Sequence, residues 1–151
     1  MFLARPDFAN VLRHAPLVSI DLVVRDPEGR VLVGLRVNKP AQGSWFVPGG
    51  RIYKDERLDT AFARISRTEL GIEIARREGE FLGVFEHLYD DNALDEANVT
   101  THYVVLAYEL RIDPAGLVLP DAQHNHFRWI TPDEVRRDPN VHDNTRAYFA
   151  P

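Results

Sequence analysis

A glycine turn followed by a helix with a charged residue on its apolar face constrains this chain more than any other feature. Residues 49–72, GGRIYKDERLDTAFARISRTELGI, predict a tight turn, a charged loop and a helix over residues 56–70 that ends at Gly71. With Leu58 at zero and about 100° per residue, the apolar positions fall within about 60° and Glu69 at about 20°. A carboxylate facing the core is costly unless a cation pairs with it. The apolar stripe can also simply run into solvent at the helix end, and helical geometry leaves both explanations open.

Length, composition and charge exclude several classes of protein. A chain of 151 residues with 44% hydrophobic residues predicts one soluble domain over residues 1–151. The apolar runs are far too short to span a membrane and the N-terminal segment does not resemble a signal peptide, so no membrane partner is expected. The absence of cysteine suits a cytoplasmic location. The net charge of −5 argues against nucleic acid as a partner.

Strand and helix patterns alternate along the chain. Apolar runs and alternations predict strands over residues 16–26, 30–37, 80–89, 99–112 and 126–130, with a short strand inside 37–50. Helices are predicted at the N terminus, over residues 56–70, over 131–138 behind a threonine cap and a proline, and over 143–150. This order favours an α/β (α+β) fold in which helices sandwich a mixed sheet.

Polar side chains in the first half of the chain are candidates for a site. Asp21 lies in the middle of a strand, opposite its apolar face, and a solvated strand face is the ordinary explanation for it. Arg36, Arg51 and Arg64 place three guanidinium groups near the glycine turn. Planar groups of this kind bind phosphate oxygens, although any one of them alone is an ordinary surface arginine.

The second half of the chain contributes further candidates. His87 and Tyr103 lie in apolar strands, where an interior position is the default explanation. The segment DAQHNH, residues 121–126, is dense in groups that bind metals or transfer protons, and it lies in a loop. A neutral histidine near pH 7 can take a proton from water, but a histidine-rich surface loop is an equal alternative. Zinc is disfavoured because cysteine is absent and no two histidines have helical spacing.

The glycine turn and helix resemble the signature of the Nudix hydrolases: a glycine, five residues, a glutamate, seven residues, then Arg-Glu-U-X-Glu-Glu-X-Gly-U, where U is aliphatic. The residues that fit are Gly50, Glu56, Arg64, Glu69, Gly71 and Ile72, whereas Ile65 and Thr68 replace glutamates and Ser66 replaces an aliphatic residue. The resemblance implies the Nudix fold, an α/β/α sandwich. Ordinary Nudix enzymes use the two missing glutamates to hold additional metal and often to activate water, so their loss disfavours attack at phosphorus.

One branch of this family, the GDP-mannose mannosyl hydrolases, resembles the chain nearly end to end, through stretches such as PAQG-x-WFVPGGR, TTHYVV and NVH-x-N-x-RAYF. In that branch water attacks the anomeric carbon and releases GDP and the sugar with inverted configuration. The resemblance implies one Mg²⁺ per subunit, or Mn²⁺ in its place, held by the Gly49 carbonyl, Glu69 and Gln123. It also implies His124 as the general base and a homodimer.

The same resemblance implies roles for the remaining candidates. The residues implied to bind the diphosphate and favour departure of GDP are Arg36, Arg51, Arg64 and Tyr103. Asp21 and His87 match positions of the active site, and recognition of the sugar or support of a cationic transition state is implied for them.

Two alternatives from other classes stay open. A Nudix diphosphatase would cleave a nucleotide sugar at phosphorus, and Ile65 and Thr68 argue against it. A non-catalytic module would bind a nucleotide sugar without turnover, and the presence of Glu69, Gln123 and His124 argues against that. The sequence does not distinguish GDP-mannose from GDP-glucose or GDP-fucose.

Overall fold

One mixed sheet of seven strands forms the centre of the molecule in the computed structural model, which describes residues 3–120 and 126–150. The strands are β1 (Leu17–Arg25), β2 (Val31–Leu35), β3 (Trp45–Phe46), β4 (Gly49–Arg51), β5 (Glu80–Tyr89), β6 (Thr101–Arg111) and β7 (Phe127–Ile130). The helices are α1 (Arg5–His14), α2 (Leu58–Leu70), α3 (Pro132–Arg137) and α4 (Asp143–Arg146), with 3₁₀ turns at Arg76–Glu78, Pro114–Gly116 and Ala147–Phe149. Within these described ranges, no helix has the length and apolar character needed to cross a bilayer.

The two longest pairings join strands that are far apart in sequence. β1 runs parallel to β6 along its whole length, and β5 pairs antiparallel with the other side of β6. The strand order is β3-β2-β1-β6-β5, with β4 beside β1 and β7 beside β2. The mixed sheet that the sequence favours is therefore confirmed.

A split between β1 and β2 creates the space for a site. These strands pair only at Arg25 and Val31, near the turn that joins them. Farther along, β4 occupies the edge of β1 from Ser19 to Asp21, while β3 and β7 bond to β2. The two halves of the sheet thus diverge, and side chains from both reach the gap.

Both faces of the sheet are covered. Alternate residues of a strand point to opposite faces. On one face Ile20, Leu22 and Val24 pack with Phe62 and Ile65 of α2 in one buried cluster. On the other face, a second cluster combines Val23, Val31 and Val33 of the sheet with Val135 of α3 and Phe149 near the C terminus. Helices on both faces match the predicted sandwich.

Helix α2 begins two residues later than the sequence predicts. The Glu56 carboxylate accepts a hydrogen bond from the Tyr53 amide at 2.9 Å, and Asp55 has a φ of 68°, so both residues stay in the loop. The predicted end is confirmed, because Gly71 adopts a left-handed φ of 75°. A Cβ at this glycine would lie 1.8 Å from the carbonyl oxygen of Val118, which explains why no other residue fits there.

Candidate active site

A cleft opens where β1 and β2 diverge, and a smaller pocket continues from it. The wider part, here the Glu69 cleft, has a volume of about 360 Å³ and includes Glu69, Gly49 and Arg36 in its lining. The smaller part, here the Asp21 pocket, has a volume of about 120 Å³. It is lined by Asp21, Arg36, Gly49, Arg51, His87 and Tyr103 together with neighbouring residues. Arg36 and Gly49 line both parts, so the two form one continuous depression.

Arg36 lies directly after β2, between the two parts of the depression. Its Nε donates a hydrogen bond to the Pro40 carbonyl at 2.8 Å, and its guanidinium carbon lies 5.9 Å from the centre of the Phe46 ring. The positive charge of Arg36 lowers the pKa of both Asp21 and Glu69. A single guanidinium thus interacts with the two acids that face the depression.

Glu69 is the only carboxylate that the end of α2 brings to the cleft. Burial raises the pKa of Glu69 to about 7, and the charge of Arg36 opposes this rise only in part. Of the two residues that replace glutamates, Ile65 is buried in the core and Thr68 lines the cleft. The Glu69 side chain on the last turn of α2 therefore faces a cleft. The apolar stripe of the helix does not simply run into bulk solvent at this end.

Asp21 is not on a solvated strand face, so the ordinary explanation of its position is wrong. Burial raises the pKa of Asp21 to about 7, the nearby Glu69 charge adds to the rise, and a hydrogen bond from Tyr148 opposes it. The Tyr148 hydroxyl donates that bond to Oδ2 at 2.5 Å. The 3₁₀ turn at the C terminus supplies this tyrosine, so the sheet and the end of the chain together enclose the carboxyl group.

His87 and Tyr103 are interior residues that also line the Asp21 pocket. They are direct neighbours in the β5–β6 pairing, on the same face of the sheet. Burial, with a smaller contribution from the charge of His142, lowers the pKa of His87 to about 4. His87 is therefore neutral at pH 7 and offers one donor and one acceptor. Burial also raises the pKa of Tyr103, so its hydroxyl stays protonated.

The structure separates the three arginines that the sequence groups together. Arg51 lines the Asp21 pocket, with its guanidinium carbon 5.2 Å from the centre of the Phe8 ring and 5.2 Å from that of Tyr53. Arg64 is held elsewhere. Its Nε donates to a Glu56 oxygen at 2.6 Å, its Nη2 donates to the Arg51 carbonyl at 2.8 Å, and its guanidinium lies over Tyr53. Arg64 therefore does not line either part of the depression, and its implied contact with the diphosphate stays a prediction.

The Gly49 carbonyl has a suitable orientation for a ligand. The Leu22 amide donates to the Pro48 carbonyl at 2.8 Å and the Ile52 amide donates to the Val18 carbonyl at 2.8 Å. Because hydrogen-bonded pairs alternate between antiparallel strands, Gly49, which lies opposite Asp21, directs its N–H and C=O away from β1. A Cβ at Gly49 would lie 2.3 Å from Asp21 Oδ1, so only glycine fits beneath this carboxylate.

The donor set of the depression fits a hard divalent cation. Among the residues that the structure describes, no group of three or more His, Cys, Asp or Glu side chains is arranged to hold a metal by itself. Glu69 and the Gly49 carbonyl are nevertheless oxygen donors in one cleft, and a cation beside the buried Glu69 would favour its ionised form. Mg²⁺ binds carboxylate and carbonyl oxygens and keeps several waters, so an incomplete protein shell suits it.

Gln123 and His124 lie outside the described residues, in the segment 121–125. The described residues on either side of that segment, Pro120 and Phe127, both belong to the lining of the Glu69 cleft. The chain therefore leaves the described structure and re-enters it at the cleft or next to it.

Three aromatic residues near the depression are not among the site residues that the sequence analysis predicts. Tyr89 lines the Asp21 pocket, and the His142 ring stacks on Phe46 with a centroid distance of 4.6 Å. Tyr148 bonds to Asp21, as described above. His142 and Tyr148 both belong to the stretch NVH-x-N-x-RAYF, so the strength of the resemblance there was the available signal.

Comparisons with known proteins agree with this architecture. The NUDIX domain model matches residues 15–150. The low-salt glycan biosynthesis protein Agl8 of Haloferax volcanii is 40% identical over 126 residues, which cover 83% of this chain and 78% of that protein. The crystal structure of the MutT protein from Methanosarcina mazei superposes with a TM-score of 0.69 at 20% identity, covering 90% of this chain and 92% of that chain. The NUDIX domain of Shewanella oneidensis NrtR, complexed with ADP ribose, superposes with a TM-score of 0.63 at 19% identity, covering 97% and 95%. The predicted fold class is thereby confirmed.

Proposed function

This chain belongs to the Nudix family of hydrolases, and we propose that it hydrolyses GDP-mannose to GDP and free mannose by attack of water at the anomeric carbon. The observation that carries the proposal is the single carboxylate that α2 presents to the Glu69 cleft, which is continuous with a pocket containing Asp21 and His87. GDP-glucose is an alternative substrate of the same chemical class. Agl8 is named for glycan biosynthesis, which suits a nucleotide-sugar substrate, and the NrtR domain holds a nucleoside diphosphate joined to a sugar.

One Mg²⁺ per subunit fits the donors, with Mn²⁺ as an alternative. The Glu69 carboxylate, the Gly49 carbonyl and Gln123 would hold it. When bound, the ion would neutralise charge on the diphosphate and so make GDP a better leaving group. The positive charge of the ion would also offset the free-energy cost of burying the ionised Glu69 carboxylate.

Arg36, Arg51 and Tyr103 bind the diphosphate in this proposal. All three line the Asp21 pocket, and Arg36 also lines the Glu69 cleft. Guanidinium groups pair with phosphate oxygens through two parallel hydrogen bonds, and the protonated Tyr103 hydroxyl adds a neutral donor. These groups stabilise the negative charge that develops on GDP as the bond to the sugar breaks.

The sugar occupies the Asp21 pocket, and His124 acts as the general base. Water attacks C1 of the sugar while His124 takes its proton. The bond between C1 and the β-phosphate oxygen breaks, and its electron pair leaves with GDP. Asp21, when ionised, stabilises the positive charge that develops at C1, and the neutral His87 binds a sugar hydroxyl. Attack from the side opposite to GDP inverts the configuration.

Turnover in ¹⁸O-labelled water with GDP-mannose and Mg²⁺ tests the proposal. We expect the label in mannose, because the water oxygen becomes bound to carbon. Label in a phosphate product would instead identify a Nudix diphosphatase that yields GMP and a sugar phosphate. Binding of GDP-mannose without turnover would identify a non-catalytic module.

The protein acts as a cytoplasmic homodimer in this proposal. In the described part of the chain β5 is the last strand of the sheet, and Val84 and Leu88 are exposed along it. These two side chains share one face of the strand, and apolar side chains exposed on such a face can form an interface. The lack of cysteine suits the reducing conditions of the cytoplasm.

A further inference from the structure

We infer that Tyr148 is a positioning residue that holds the Asp21 carboxylate and the His87 imidazole in one fixed arrangement for the reaction at the sugar carbon. This inference rests on the proposed function and adds a residue to the same pocket. Tyr148 follows α4 near the C terminus, 127 positions after Asp21 in the sequence, and it is not part of the Nudix signature.

One hydroxyl group joins the two side chains. The Tyr148 Oη lies 2.5 Å from Asp21 Oδ2 and 3.4 Å from His87 Nε2. A tyrosine hydroxyl has one proton to donate, and an ionised carboxylate can only accept it. The hydroxyl oxygen is then left as an acceptor for His87, so Nε2 of the neutral imidazole carries the proton.

This arrangement leaves one oxygen of Asp21 for the substrate. Oδ2 is used by Tyr148, while Oδ1 lies above Gly49 at the junction of the cleft and the pocket. Without the tyrosine hydroxyl the carboxylate could rotate about its χ2 bond, a torsion with a broad energy minimum. Electrostatic stabilisation of a transition state depends on groups that are held in place before the reaction.

The ring of Tyr148 is itself held firmly. It packs edge-to-face against Phe85 at a centroid distance of 4.7 Å. Its neighbour Phe149 is buried in the core, with the guanidinium carbon of Arg25 5.1 Å from the centre of the ring. The Phe149 carbonyl also accepts a hydrogen bond from Arg136 of α3 at 3.4 Å. Replacing tyrosine by phenylalanine therefore removes the hydroxyl while the ring keeps its packing.

The first test compares Tyr148→Phe with the wild type in steady-state hydrolysis of GDP-mannose. We expect kcat to fall about 10- to 100-fold, the effect of losing a hydrogen bond to a charged group, while KM stays within about twofold. Tyr108→Phe is the matched control, because it removes the hydroxyl of a buried tyrosine that lies 3.3 Å from Arg76 and outside both parts of the depression. An unchanged kcat in Tyr148→Phe, or an equal fall in the control, would overturn the inference.

A double-mutant cycle asks whether Tyr148 acts through Asp21. In an Asp21→Asn background, we expect Tyr148→Phe to lower kcat by less than about threefold, because the group that it positions is already disabled. A full, independent loss in that background would show a role unrelated to Asp21. Since a merely structural hydroxyl would lower stability in either background, thermal unfolding is measured for all four proteins.

A spectroscopic test needs no substrate and separates this inference from the proposed reaction. The ¹⁵N chemical shifts of the His87 ring at pH 8 should show the Nε2–H tautomer in the wild type and a loss of that preference in Tyr148→Phe. A wild-type ring protonated on Nδ1 would overturn the inference even if GDP-mannose is hydrolysed. Absence of GDP-mannose hydrolysis combined with the expected tautomer shift would overturn only the proposed function.

Discussion

Arg36 sets the charge balance of the depression. It is the cation common to Asp21 and Glu69, and it lowers the pKa of each, yet burial keeps the pKa of both near 7. One guanidinium thus does not fully stabilise two ionised carboxylates. A divalent cation held by Glu69 would supply the missing charge, and the diphosphate of a substrate would bring negative charge to share it.

Glu69→Gln should weaken metal activation. The amide keeps the size of the side chain but removes the negative charge that attracts Mg²⁺. We expect the Mg²⁺ concentration for half-maximal activity to rise at least about tenfold and kcat to fall. Glu73→Gln, which changes an exposed carboxylate paired with Arg67, is the control and should titrate like the wild type. An unchanged titration for Glu69→Gln would exclude it as a ligand.

His124→Gln should lower kcat by about 10²–10⁴ with little change in KM, because a general base acts in the transition state. The matched control is His126→Gln, a change of a neighbouring, exposed histidine of the same segment. Steady-state kinetics with GDP-mannose provides the measurement. Normal turnover by His124→Gln would remove this residue from the mechanism.

His87 should make folding sensitive to acid. The pKa of His87 is about 4 in the folded protein against 6.5 in the unfolded chain, so the unfolded state binds the extra proton between these values. Its contribution to stability is complete above pH 6.5 and falls as the pH drops towards 4, by up to about 1.4 kcal/mol per pH unit. Asp21 and Glu69 have raised pKa values and act in the opposite direction, because their folded forms bind more protons.

The difference between the wild type and His87→Gln isolates this effect. Urea unfolding in EDTA at pH 7.5 and pH 5 should show that the stability advantage of the wild type over the variant is smaller at pH 5. His14→Gln changes an exposed histidine of α1 and should leave the pH dependence as in the wild type. Parallel curves for the wild type and His87→Gln would contradict a lowered pKa.

At the scale of elements, local sequence patterns predict the helices and strands but not the contacts between segments that are distant in sequence. The amphipathic period identified α2, and Gly71 fixed its end. The start was misplaced because Glu56 uses its carboxylate to bond the loop and Arg64 rather than to open the helix. The pattern of β1 alone favours a solvated face for Asp21, because nothing in that strand reveals that Tyr148 bonds to its carboxylate. The parallel β1–β6 pairing and the split between β1 and β2 depend on contacts between distant segments, which no local period records.

The ion pair between Arg64 of α2 and Glu56 of the preceding loop should stabilise the fold rather than bind substrate. Arg64 and Glu56 form two hydrogen bonds while both are largely buried, and Arg64 also bonds to the Arg51 carbonyl in β4. We expect Arg64→Gln to cost about 2–4 kcal/mol of stability, because it leaves the Glu56 carboxylate without its partner. Arg51→Gln should instead raise KM for GDP-mannose with little loss of stability.

Urea unfolding and steady-state kinetics on both variants separate the two roles. If Arg64→Gln unfolds like the wild type but has a raised KM, the result would support the role that the resemblance implies, namely that Arg64 binds the diphosphate. Arg137→Gln, which changes an exposed arginine of α3 paired with the exposed Asp133, serves as a control for the loss of a cation.

At the scale of the whole molecule, the sheet is well covered at its centre and open at one edge. Helices cover both faces near β1 and β2, which is where the site lies. On β5, however, Val84 is 60% exposed and Leu88 is 67% exposed. Val18 of β1, 40% exposed, adds to this side, because its partner Val104 lies in the strand between β1 and β5. That the chain acts as one domain over residues 1–151 stays a prediction.

This apolar surface gives the proposed homodimer a testable interface. An isologous pair of β5 edges would bury Val84 and Leu88 of both copies around a two-fold axis. Leu88→Glu would place two charges close to that axis, so we expect it to shift the protein from dimer to monomer in size-exclusion chromatography with light scattering. The matched control is Val118→Glu, which adds the same charge at a side chain that is 69% exposed and lies in the loop bonded to the end of α2. A wild-type monomer, or a Leu88→Glu protein that remains dimeric, would show that this surface is not the interface.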